Sequence, residues 1–95
     1  MLQGWENMDI TVLNAAENAV LQYGREHSEF IKNVYQHFSE KLGYKSPNYL
    51  YMLFSKRNGA KMGYDDLMLI LEKTANFQLA EAIKKDVDIK LSSMK

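Results

Sequence analysis

The chain has 95 residues, enough for one domain with a small core of its own. Its 12 Lys and Arg balance 12 Asp and Glu, and the absence of cysteine excludes disulfides, thiolate zinc sites and cysteine nucleophiles and fits a reducing compartment. No apolar run approaches the roughly 20 residues that span a bilayer, and MLQGWENMDI lacks a basic region followed by an apolar one, so the expectation is a cytoplasmic protein without membrane attachment.

Residues 1–8 show no periodicity and are expected to form a flexible N-terminal segment, with the place of Trp5 left open. A single helical domain is expected over 9–91, with 92–95 frayed. From Ile10 to Tyr23 the apolar residues Leu13, Ala16, Val20 and Tyr23 recur at the spacing of one helix face. Asp9 or Thr11 can cap this first helix, and Gly24 reads as its stop. Ser28 is the expected cap of a second helix carrying Phe30, Ile31, Val34, Tyr35, Phe38 and Leu42, an aromatic face that reads as core.

Gly43 ends that helix in a left-handed turn, and Ser46-Pro47 opens a third with a hydroxyl cap and proline at the first helical position. Leu50, Leu53 and Phe54 share one face of helix three, while Asn48, Tyr51 and Ser55 share the other. Asn58-Gly59-Ala60 is a turn, and Gly63 with Asp65 and Asp66 starts a fourth helix. Helix four, through Leu67, Met68, Leu69, Ile70 and Leu71, is expected to be buried nearly all round, central to the core or to a subunit interface. Asn76 caps a last helix with Leu79, Ile83, Val87 and Leu91 inward. The methionines at 52, 62 and 68 are read as fillers of core gaps. The fold class is all-α, a compact five-helix domain.

Enzyme chemistry finds little footing. His27 and His37 lack the i, i+4 spacing of a metal pair, Asp65-Asp66 complements free amides at a helix start, and no phosphate-cradling glycine loop occurs. The reading is not an enzyme, with no cofactor and no metal.

Charge is distributed unevenly, and this is more informative than its sum. Residues 1–24 carry Glu6, Asp9 and Glu17 and no base, whereas residues 41–61 carry Lys41, Lys45, Lys56, Arg57 and Lys61 and no acid. A local basic patch supplies counterion release even on a neutral molecule. Residues 38–61, which include this patch, have the layout of a helix-turn-helix: a small residue inside the first helix (Ser39), an apolar one before the turn (Leu42), Gly43 in it, an apolar one after it (Tyr44), and apolar anchors on the second helix. The usual spacing puts the first anchor at Tyr49, whereas the helical face prefers Leu50, so either the turn is one residue longer or Tyr49 itself serves as the anchor.

EKLGYKSPNYLYMLFSK resembles the helix-turn-helix of the lambda-repressor-like superfamily, and MGYDDLMLILEKTANFQLAEAI is similar to the C-terminal half of the phage regulatory CII-type proteins. The resemblance runs roughly from Ser28 to Ile83. It implies a transcription regulator of a phage or prophage, acting as a dimer or higher oligomer. On this reading Lys45, Ser46, Asn48, Tyr49 and Tyr51 approach base edges of double-stranded DNA, and Lys41, Ser55, Lys56, Arg57 and Lys61 hold phosphates. The homo-oligomer would form through the C-terminal helices. The rival expectation is a helical protein-interaction module, antitoxin-like or a phage accessory protein, in which Tyr49, Tyr51 and Met52 contact a protein.

Overall fold

The computed structural model describes residues 10–55 and 62–94, and all its regular structure is helical. Trp5 and the segment 1–8, the turn at Asn58-Gly59-Ala60, and Lys56, Arg57 and Lys61 lie outside the described residues. Five helices follow in order: α1 (Ile10–Glu26), α2 (Val34–Leu42), α3 (Pro47–Ser55), α4 (Tyr64–Thr74) and α5 (Phe77–Ser93).

The central element is α1, which packs against all four others. Its buried stripe is Val12, Leu13, Ala16, Ala19 and Val20, with Tyr23 half-buried beyond it. Four of these are alanine or valine, small enough to let several helices approach one axis. Phe38, Leu50, Leu53, Phe54, Met62, Leu67, Ile70, Leu79 and Ile83 close the core around that stripe.

Gly24 does not stop α1, which continues to Glu26. Its role is close approach: a β-carbon at 24 would lie 2.8 Å from Val34 Cβ, so only glycine lets α2 start this near α1. The expected second-helix start at Ser28 is likewise corrected. The amides of Phe30 and Ile31 both donate to the His27 carbonyl at 2.9 Å in a turn, and α2 begins at Val34. Its cap is Asn33, whose side chain accepts from the Gln36 amide at 3.2 Å. Phe30 therefore sits outside the helix and is 83% exposed rather than core.

Helix α4 is also less enclosed than its sequence implies. Leu67 and Ile70 are buried, Leu71 is half-buried, and Met68 is exposed. Its N-cap is Gly63, as expected, and its C-cap is Ala75 at φ 49°, a left-handed conformation that costs a non-glycine residue about 1–2 kcal/mol. Glycine loses more entropy on folding, so only part of that is recoverable. Ala75→Gly is expected to stabilise the protein by about 0.5–1 kcal/mol, read as a higher urea midpoint at unchanged slope.

In α5, capped by the Asn76 side chain accepting from the Leu79 amide at 2.9 Å, the inward face is Leu79, Ile83, Asp86 and Lys90. Val87 is half-buried and Leu91 is exposed. The helix is rotated from the Leu79–Ile83–Val87–Leu91 stripe because Asp86 and Lys90 satisfy each other inside, Nζ to Oδ2 at 2.9 Å. It also runs on through Ser93, past the expected fraying point.

Candidate nucleic-acid interface

The α2–α3 pair is built from its turn outward. Gly43 at φ 80°, ψ 20° ends α2 in the left-handed region. The Tyr44 amide donates to the Ser39 carbonyl at 2.8 Å and the Gly43 amide to the Glu40 carbonyl at 3.3 Å, a Schellman closure that satisfies two end-of-helix carbonyls. Ser39 is buried, small enough for the following chain to pass close, and its hydroxyl has no hydrogen-bond partner among the described residues. Pro47 is the first residue of α3, where its missing amide proton costs nothing.

The anchor of α3 is Leu50, fully buried, whereas Tyr49 is 43% exposed. The turn is thus one residue longer than the usual spacing. With Leu53 and Phe54 also buried, α3 commits one stripe to the core. Off that stripe Asn48, Tyr49, Tyr51 and Ser55 are exposed, with Lys45 and Ser46 exposed before the helix and Lys41 exposed on α2. Met52 is half-buried. Gly43, Tyr44, Lys45, Ser46 and Tyr49 line a shallow hollow of about 300 Å³ at the turn. Each expected site residue among those described is exposed, but the Ser55 hydroxyl is spent locally, 3.0 and 3.2 Å from the Tyr51 and Met52 carbonyls.

Two half-buried tyrosines beside these residues are not apparent from spacing. The Tyr35 hydroxyl donates to Glu17 on α1 at 2.8 Å, and its ring meets Tyr51 edge-on at 6.2 Å. The Tyr44 hydroxyl donates to Asp66 on α4 at 2.5 Å, and its ring meets Tyr49 edge-on at 4.9 Å. Asp66, expected to serve the helix dipole, therefore also holds a phenol. The available signal was chemical: a tyrosine on an inward face needs a partner for its hydroxyl.

Burial, followed by the hydrogen bond to a carboxylate, pushes both phenols well above the usual tyrosine range. The unfolded chain ionises near pH 10, so the neutral phenols contribute stability at all lower pH, and that contribution is lost as pH climbs from about 10 upward. A spectrophotometric alkaline titration should show phenolate absorbance from these two tyrosines arriving only with unfolding; their ionisation in an intact fold would contradict the geometry.

No protein-family model, curated protein or solved structure matches the chain. Among the described residues no cluster of His, Cys, Asp or Glu could hold a metal ion, and no helix is long and apolar enough to cross a membrane.

Proposed function

We propose that the chain is a sequence-specific DNA-binding transcription regulator that presents α3 to the major groove. The observation that carries this reading is the exposed, acid-free side of α3, preceded by exposed Lys41 and Lys45 and joined to α2 by the hydrogen-bonded Gly43 turn. A helix with one buried stripe and an open opposite side is what the groove admits. The resemblance to lambda-repressor-like and phage CII-type regulators supports the same reading. Two copies would bind half-sites about 34–36 Å apart. Exposed Ile89 and Leu91 on α5, with exposed Met94 at its C-cap, favour that end of the helix as the surface joining them.

The test is a binding titration on duplex DNA across salt. Affinity is expected to fall by orders of magnitude between about 50 and 200 mM salt. Lys41→Ala and Lys45→Ala should each weaken binding to all sequences and flatten the salt slope by about one. A second reading, a helical protein-interaction module, is favoured by the aromatic character of the exposed residues Tyr49 and Tyr51. The absence of DNA affinity at low salt would select it.

A further inference from the structure

On a helical wheel the buried residues Leu50, Leu53 and Phe54 define one direction, and Asn48, Met52 and Ser55 point opposite to it. Tyr49 and Tyr51 lie roughly 100° to either side, on the flanks rather than the crest. A helix about 10–12 Å across nearly fills a major groove about 12 Å wide, so flanking side chains meet the groove walls, which are sugar and phosphate. Flexible flanking side chains would lose entropy on contact. These two are braced, each ring against a second tyrosine whose hydroxyl is tied to a carboxylate on another helix.

Building on the DNA reading above, we infer that Tyr49 and Tyr51 are contacts to the phosphodiester backbone on the two walls of the groove. Glu17 and Asp66 act as positioning residues that hold them there through Tyr35 and Tyr44. Base reading then falls to Asn48 and to Lys45 and Ser46 ahead of the helix. The assignment divides the exposed α3 side chains by geometry. Crest positions carry sequence information, and flank positions carry affinity without it. The phenol hydroxyl is a neutral donor, so unlike lysine it adds affinity without releasing a counterion. Anchoring each brace to a different helix, α1 on one side and α4 on the other, ties the aim of α3 to the whole fold.

The experiment measures binding of the full chain by fluorescence anisotropy to two probes of roughly 25 base pairs, a random-sequence duplex pool and a single duplex selected from it. Tyr49→Phe and Tyr51→Phe should each lose roughly tenfold in affinity on both probes with the salt slope unchanged. Asn48→Ala should lose roughly tenfold or more on the selected duplex alone. Glu17→Ala should reproduce part of the Tyr51→Phe loss, with Glu17→Gln, which keeps an acceptor, restoring it. In the DNA-free protein the Tyr51 ring should flip faster by NMR in Glu17→Ala than in wild type, a readout that mere stability loss does not move. Unaltered affinity of both Tyr→Phe variants overturns this inference and leaves the DNA reading standing. A Tyr→Phe loss confined to the selected duplex overturns it in favour of base contacts. Failure of the wild-type chain to bind either probe at low salt overturns both.

Discussion

Leu50→Ala is expected to remove about 2–5 kcal/mol of stability, because the side chain is fully buried and α3 cannot collapse onto the vacated space without disturbing Leu53 and Phe54. A domain of this size has roughly 5–15 kcal/mol in total, so the variant should unfold at much lower urea. Tyr49→Ala, one residue away, should cost little stability, since its ring is nearly half exposed and contributes mainly an edge contact to Tyr44. Its effect should appear in DNA binding instead. The pair separates anchoring from contact at adjacent positions. If Tyr49→Ala proved the more destabilising of the two, the longer turn and the outward face of α3 would both be wrong.

The second large effect concerns the one buried charge pair described. Lys90 and Asp86 are both nearly inaccessible, one helical turn apart on α5, and the Tyr64 hydroxyl at the start of α4 donates to Asp86 at 2.5 Å and also bonds Lys90. Burial alone would lower the Lys90 pKa, but the bonds to Tyr64 and Asp86 outweigh it and hold it above the usual lysine value, so the amine stays charged. Lys90→Met leaves a buried carboxylate with only the phenol for company and is expected to cost about 3–5 kcal/mol. Asp86→Leu combined with Lys90→Met removes both charges and should come close to wild-type stability, or exceed it. Thermal unfolding of the two singles and the double gives the coupling directly. A double variant as damaged as either single would mean the pair contributes net stability beyond its own desolvation.

Much of the architecture is legible in the residues because it rests on local rules. Glycine at 43, proline at 47 and asparagine at 76 each impose a backbone or capping preference that no distant contact needs to supply. Most of the discrepancies arise where a partner outside the local pattern changes what a residue can do. Gly24 looks like a stop until Val34 is placed against it. Lys90 looks like surface until Asp86 and Tyr64 neutralise and bond it, at which point α5 turns and Leu91 is left outside. Phe30 looks like core because it is aromatic at a plausible spacing, yet α1 runs on and the turn that follows carries Phe30 into solvent. At the candidate interface, the outward residues of α3 follow from periodicity alone. The braces behind them, Glu17 and Asp66, come from helices far away in sequence and needed coordinates to be seen.

The hub position of α1 also bears on how the chain reaches its fold. Helix α1, translated before the other four, has α5, at the other end of the described chain, among its principal partners. Local pairing of α2 with α3 can form as soon as both are available, but the apolar stripe of α1 is not fully covered until α5 arrives. Closing that long loop is entropically slow compared with hairpin formation. During synthesis the interval before α5 emerges leaves Val12, Ala16 and Val20 incompletely sheltered, so nascent chains interrupted ahead of Phe77 are the species a cell's chaperones and proteases would meet.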